Sequence, residues 1–302
     1  MKELLFVSAC SLALFAQSVT TPVIQDVLNK AREALGGESK LKAVKSIVAT
    51  GTYHRAQTLA MAHGDSISAD QPEVRSGDME VSFLLPDKFL KEETMALPNG
   101  MAGPALLEGL DGETAWNDTR QTAGMMVRIK IDSDDASRTA GAKLNFARYT
   151  LAMLLAAPDS LPLQFTYAGE AEAPDGKADV VDVQGDKFAA KLFIDKNTHM
   201  PLMIGYRTAQ VTRVMNMQHG AGSLDVQKLK DPKAAQDLID KLPKPERKEV
   251  DVQLHMSDYR KVGAILLPHL LTWTSNGATT DEFEIKKYAV NGKLNPDHFR
   301  KP

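Results

Sequence analysis

The sequence predicts an α+β chain built on one strongly curved antiparallel sheet, with helices packed on its concave side. Three observations lead there. Short apolar runs alternate at a two-residue period through most of the chain, as over residues 79–85, 163–167 and 250–256. Turn residues, not helices, join most of these runs, which implies a meander and not βαβ crossovers. Two long segments repeat at helical spacing, residues 21–35 and about 134–157, and each has one apolar side with which to cover a sheet.

In chain order, Thr21 can cap the first helix and Pro22 suits its first turn. Val23, Val27, Ala31 and Leu35 form its apolar stripe, and Gly36-Gly37 ends it. Residues 41–44 add a turn, and residues 47–54 are the first strand. Residues 55–74 lack a clear period and read as a long loop or the extended end of a hairpin. Met79, Val81, Phe83 and Leu85 alternate with polar partners until Pro86, and residues 89–95 return as a strand. Residues 97–107, with Pro98, Gly100, Gly103 and Pro104, read as irregular. Asp111-Gly112 is a turn before a strand with Trp116. Residues 127–131 form a short strand. Asp134 or Asp135 then caps the longest helix, whose apolar side is Leu144, Ala147, Leu151, Leu154 and Leu155, and which stops before Pro158.

Beyond residue 161 the pattern is β. Leu163, Phe165 and Tyr167 alternate, and strands follow at 180–183 and 188–194. Residues 191–207 read as strand, turn, strand, the hairpin from which the sheet is built outward. Asp195 and Asn197 supply its turn chemistry, and Leu202, Ile204 and Tyr206 share a face. A strand at 211–215 follows. Residues 216–248 are polar and rich in Gly and Pro, with a short stripe of Ala235, Leu238, Ile239 and Leu242. They read as an inserted helical arm, either a surface excursion or a lid over a cavity. Alternation resumes at Val250, Val252, Leu254 and Met256, and residues 257–260 break it. A strand at 264–274 contains Pro268, which argues for an edge or a bulge. Residues 283–290 are the last strand, with Asn291-Gly292 as a turn after it.

Of 302 residues, 43% are hydrophobic and 25% charged, which suits a globular chain with a sizeable core. A net charge of -3 without a basic block gives no expectation of nucleic acid as a partner. Lys2, the apolar run over residues 4–15 and the small residues Ala16 and Ser18 read as a secretory signal peptide over 1–18, cleaved after Ser18. Residues 7–10 loosely match a lipoprotein cleavage box at Cys10, but the apolar run continues past it. After cleavage at Ser18 the mature chain, 19–302, has no cysteine and no disulfide, so its fold rests on its core. No later run reaches the roughly 18 apolar residues of a membrane-spanning helix.

HExxH, GxSxG and a glycine-rich phosphate loop are all missing, so the expectation is a non-enzyme without a cofactor. A hydrolase assembled from distant residues is a weaker alternative. Seven histidines are spread too widely for a zinc site, and none is expected to bind a metal. Residues 132–135 look calcium-like, but Ser137 and Lys143 stand where an EF-hand needs glycine and glutamate, which leaves helix capping as their role. Met79, Met125, Met126, Met153, Met203 and Met256 fall in or near apolar runs and fit a deformable interior. Trp116 and Trp273 either close the ends of the core or line a cavity mouth.

Residues 192–207 (LFIDKNTHMPLMIGYR), 257–273 (SDYRKVGAILLPHLLTW) and 283–302 (FEIKKYAVNGKLNPDHFRKP) come in that order. With the upstream ALGG of residues 34–37, and Asp111-Gly112 ahead of Trp116, they resemble bacterial periplasmic proteins of the LolA/LolB-like lipoprotein-sorting class. The resemblance implies one domain over 19–302: an unclosed half-barrel, helices plugging its concave side, and an apolar cavity that takes acyl chains in the carriers. The chain departs from the carriers in its length, its 216–248 insert and its long 55–74 region.

The expectation is therefore an exported periplasmic carrier that sequesters a lipid, a lipoprotein acyl chain or another apolar ligand. Met79, Val81, Phe83, Phe165, Leu192, Ile204, Leu254 and Trp273 are the expected lining. The alternative is a cell-envelope protein-interaction module with a solidly packed core.

Overall fold

The computed structural model describes residues 21–57, 60–63, 66–69, 73–97, 100–120, 135–158, 160–173, 176–211, 214–216 and 247–302. The expected signal peptide, the strand at 127–131, Met125, Met126 and nearly all of the 216–248 arm lie outside these residues.

The chain opens with α1 (Thr21–Ala34) and α2 (Glu38–Lys42). It then enters β1 (Ser46–Gln57), β2 (Ala60–His63), β3 (Ser66–Ala69), β4 (Glu73–Leu84), β5 (Lys88–Ala96), β6 (Ala102–Asp111) and β7 (Thr114–Arg120). The long helix α3 (Asp135–Leu154) follows. After it come β8 (Gln164–Ala173), β9 (Gly176–Gly185), β10 (Phe188–Asp195), β11 (Pro201–Val211), β12 (Val214–Asn216), β13 (Arg247–Val262), β14 (Ile265–Ser275) and β15 (Ala278–Val290).

Twelve of these strands form one sheet in the order β7-β6-β5-β4-β1-β15-β14-β13-β11-β10-β9-β8, and every neighbouring pair is antiparallel. β7 and β8 are its two edges and do not pair among the described residues, so the sheet is unclosed and fits a half-barrel. A separate three-stranded sheet, β12-β2-β3, occupies part of what the sequence reads as a loop. The 191–207 hairpin forms as expected. Asp195 Oδ1 accepts from the Asn197 and Thr198 amides at 2.9 and 2.6 Å, and these bonds hold its carboxyl below the usual value, those from Thr198 most strongly.

Four local expectations need correction, each for a physical reason. Residues 102–111 are a strand, not irregular, because Gly103 and Pro104 fall in the register slip between Thr94 and Ala96 of β5 and beyond the last β7 pair at Ala105. The proline is thus excused from the ladder. Residues 257–260 do not break the strand. Ser257 pairs with Leu270 and Tyr259 with Pro268 in one unshifted register, so the strand runs on through Asp258 despite its φ of 53°, and Pro268 lies beyond the β14–β15 pairing that starts at Leu270, a local edge of the kind it implies. Leu202 does not share a face with Ile204. A slip beside Phe193 pairs Ile194 with Pro201 and leaves Leu202 exposed. In α1 the buried side is Ile24, Val27, Leu28 and Ala31, and Val23 is exposed.

Strand register places one large core on one sheet face. A second, smaller cluster forms from Leu90, Ala105, Leu107, Trp116 and Phe299. Leu90 alternates with the main-core residue Phe89, so this cluster lies on the opposite face. A 3-10 turn at Pro296–Phe299 seals it, with the Trp116 indole N–H donating to the Phe299 carbonyl at 2.8 Å. Trp116 thus fills neither of its two expected roles: it packs in this separate cluster, outside the main core and away from the cavity. Phe299→Ala is expected to cost about 3 kcal/mol through lost burial and the residual cavity. Urea unfolding would measure it, and a loss under about 1 kcal/mol would show that the clasp contributes little to the fold.

Candidate functional site

Pairing across the sheet fixes which side chains share the main-core face. One row runs Val181, Leu192, Ile204, Leu254, Trp273, Asp281 and Arg55, each opposite the next. Phe165 joins the same face through Val183, and Met79, Val81 and Phe83 line it from β4. All eight residues expected from the sequence thus occupy one face. Val81, Phe83, Leu192, Ile204 and Leu254 are fully buried in the core, while Phe165 and Trp273 are partly buried against it.

Helix α3 packs in this core from Ala142 to Leu154, and one of its turns meets the sheet's aromatic residues. Phe146 meets Phe83 and Phe89 at ring separations of 5.9 and 5.8 Å. Tyr149 meets Phe89 at 5.8 Å and Trp273 at 6.1 Å. The Arg148 guanidinium lies 4.0 Å from the centroid of the Tyr206 ring. Beside these contacts is a cavity of about 140 Å3, close to the size that holds one benzene-sized molecule. Met79, Leu254 and Trp273 line it, three of the eight expected residues; Val81, Phe83, Phe165, Leu192 and Ile204 do not. Its aromatic walls include Tyr53, Tyr149 and Tyr206.

Apart from Asn145, the rest of the lining is charged, which the sequence expectation missed. Both Arg55 Nη atoms donate to the Glu93 carboxylate at 2.9 Å, and Arg55 Nε donates to Asp281. Lys91 Nζ lies 3.1 Å from Glu93 and 3.5 Å from Glu108. Glu93 is only 4% exposed. Burial alone would raise its carboxyl, but Lys91 and Arg55 outweigh it and hold the group at about 2. Burial likewise opposes the charge on Lys91, yet Glu93 and Glu108 together raise the ammonium.

Arg148 stands apart from this network. Its Nη1 donates to Asn145 Oδ1 at 2.9 Å, and Asn145 passes the contact on to Glu108 at 2.8 Å. Among the described residues no carboxylate pairs with it directly, and its buried Nε has no hydrogen-bond partner. Burial pulls its guanidinium below the usual value, opposed by Tyr206 and Glu108. Two sequence signals mark these groups. Lys91 and Glu93 share parity with the inward-facing Phe89 in β5, and Arg148 falls between Leu144 and Leu151 on the apolar side of α3.

Among the described residues no group of three or more His, Cys, Asp or Glu is placed to hold a metal ion. No described helix is long and apolar enough to cross a membrane.

No protein-family model and no curated protein matches the chain. Among solved structures it is similar to a domain from Vibrio parahaemolyticus described as an outer membrane lipoprotein-sorting protein, at 9% identity and a TM-score of 0.45 over 92% of this chain and 96% of that one. It is also similar to a DUF1329 family protein from Desulfovibrio piger, at 10% identity and a TM-score of 0.46 over 92% and 97% of the two chains. A LolA superfamily protein from Nitrosomonas europaea follows, at 10% identity and a TM-score of 0.44 over 94% and 99%.

Proposed function

We propose that this chain is an exported, non-enzymatic carrier or binding protein that sequesters a lipid, a lipoprotein acyl chain or another apolar ligand between α3 and the sheet. The observation that carries this reading is the cavity where Met79, Leu254 and Trp273 meet Tyr149 and Arg148 of α3. The reading places α3 on the concave side of the sheet, and the contacts of residues 145–149 support that placement. These five residues reach Glu108 on β6, Phe89 on β5, Trp273 on β14 and Tyr206 on β11. In a flat sheet β6 and β11 would stand about 34 Å apart, seven strand spacings. A helix about 10–12 Å across cannot meet both from one turn unless the sheet wraps around it.

The cavity is large enough for the head of a ligand or a few carbons, not for a whole chain. An acyl chain would displace part of the α3 packing and exchange it for its own contacts with Phe83, Phe89 and Leu254. Each methylene withdrawn from water contributes about 0.8 kcal/mol, so a long chain can offset that exchange. The signal peptide over 1–18 is the export device in this reading.

The fully buried core residues favour the second reading, a protein-interaction module with a solidly packed interior. Native mass spectrometry of protein purified from a bacterial periplasm separates the two. Co-purifying lipid adducts are expected. A clean apo mass, unchanged after incubation with phosphatidylethanolamine–phosphatidylglycerol vesicles, would sink the carrier reading in favour of the second.

A further inference from the structure

We infer that the cavity is a head-group site, in which Arg148 receives the anionic group, a carboxylate or phosphate, of an amphiphile whose chain runs along the apolar face. This inference rests on the carrier reading above. It begins from a mismatch between the expected and the observed lining. A pocket meant only for hydrocarbon has no use for arginine, lysine and glutamate, because burying charge without a partner is costly. Here the charges are present, and they are unequal in how well they are matched.

Arg55 is matched by Glu93 and Asp281, and Lys91 by Glu93 and Glu108. Among the described residues Arg148 is the lining cation without a carboxylate of its own. Its nearest counter-charge is Glu108, one amide side chain away through Asn145. The Tyr206 ring supports one face of its guanidinium, which fixes the plane without neutralising it. A guanidinium held flat, mostly buried and lacking an anion is prepared for a bidentate carboxylate or phosphate.

The opposing charges do not remove this preference. Glu93 has both oxygens engaged by Arg55, and Asp281 is paired with the same arginine. Glu282 follows Asp281 on β15, opposite Thr272 and His54, so strand alternation turns its side chain to the other sheet face. The apolar continuation lies beside the cavity in Met79, Leu254 and Trp273. Head and tail sites thus adjoin on one face.

Isothermal titration of the mature chain with oleate, oleyl alcohol and inorganic phosphate tests this at pH 7.5. Oleate is expected to bind at least about tenfold more tightly than oleyl alcohol, from one charged hydrogen-bonded pair. Arg148→Met is expected to abolish that preference while leaving oleyl alcohol binding in place. Arg148→Lys is expected to retain part of it, and keeps the test open should the methionine variant fail to fold. Oleate and oleyl alcohol binding equally in the parent protein would overturn the head-group site and leave the carrier reading standing. Neither binding would overturn both. Phosphate binding as tightly as oleate would overturn the amphiphile in favour of a free anion.

Discussion

Glu93→Leu is expected to lower the unfolding free energy by about 3–5 kcal/mol, the range for breaking a buried ion pair from one side. Glu93 is the centre of its network: Arg55 grips it with two nitrogens at 2.9 Å and Lys91 approaches to 3.1 Å. Removing the carboxylate leaves two cations facing each other across the space it filled. Asp281 and Glu108 remain at their outer sides, so the loss is severe but not total. The same network predicts an acid limb. The Glu93 carboxyl sits at about 2 in the folded chain against an ordinary value of 4.5. A depressed carboxylate stabilises fully above its unfolded value and loses that contribution as pH falls toward the folded one. About 3 kcal/mol should therefore fade between pH 4.5 and pH 2, at about 1.36 kcal/mol for each pH unit between the two values. Urea unfolding from pH 7 to pH 2.5 reads both effects. Wild type should lose stability over that window and the leucine variant should show a shallower limb. Parallel limbs would mean that another carboxylate governs acid stability.

Alternation and turns made the sheet legible, and the pairing shows why. A strand parity read correctly at one residue fixes the face of every other residue in that strand. That is how Met79, Val81 and Phe83 on β4, and Leu254 on β13, were placed on one face without any knowledge of strand order. The reading failed where backbone geometry overrode composition. Asp258 takes a positive φ without shifting the β13–β14 register, so the strand continues across a sequence that looks broken. Leu202 is lost to a slip that its own neighbourhood does not announce. The charged half of the cavity was hidden for a different reason. Arg55, Lys91, Glu93, Arg148 and Asp281 come from β1, β5, α3 and β15, and only the fold brings them within reach of one another. Each alone reads as a surface charge. Their inward parity could have flagged Lys91 and Glu93, but inward parity alone cannot tell a neutralised pair from an unmatched cation such as Arg148.

Gly51→Ala is expected to cost about 4 kcal/mol or more, and to prevent soluble accumulation of the chain if the parent stability is ordinary. A methyl group at Gly51 would fall 1.9 Å from the Glu284 carbonyl oxygen and 2.8 Å from its carbonyl carbon. Both are backbone atoms of β15, so no side-chain rotation relieves the contact. The position is also where the β1–β15 register slips, with Thr50 opposite Lys287 and Gly51 opposite Ile285. The slip brings the strands together at the one residue without a Cβ. On its own strand Gly51 lies between Ala49, in the packed core, and Tyr53, at the cavity. Prising β1 from β15 there would shift Arg55 relative to Asp281, so the cavity network should loosen with the fold. Gly263→Ala is the contrasting control. That glycine has a φ of +60° but open space around it, so only backbone strain of about 1 kcal/mol is expected. Thermal and urea unfolding of the two variants should differ severalfold in cost. Near-equal losses would show that the close approach at the slip relaxes freely, and that β1 and β15 are not held as tightly as their backbone separation implies.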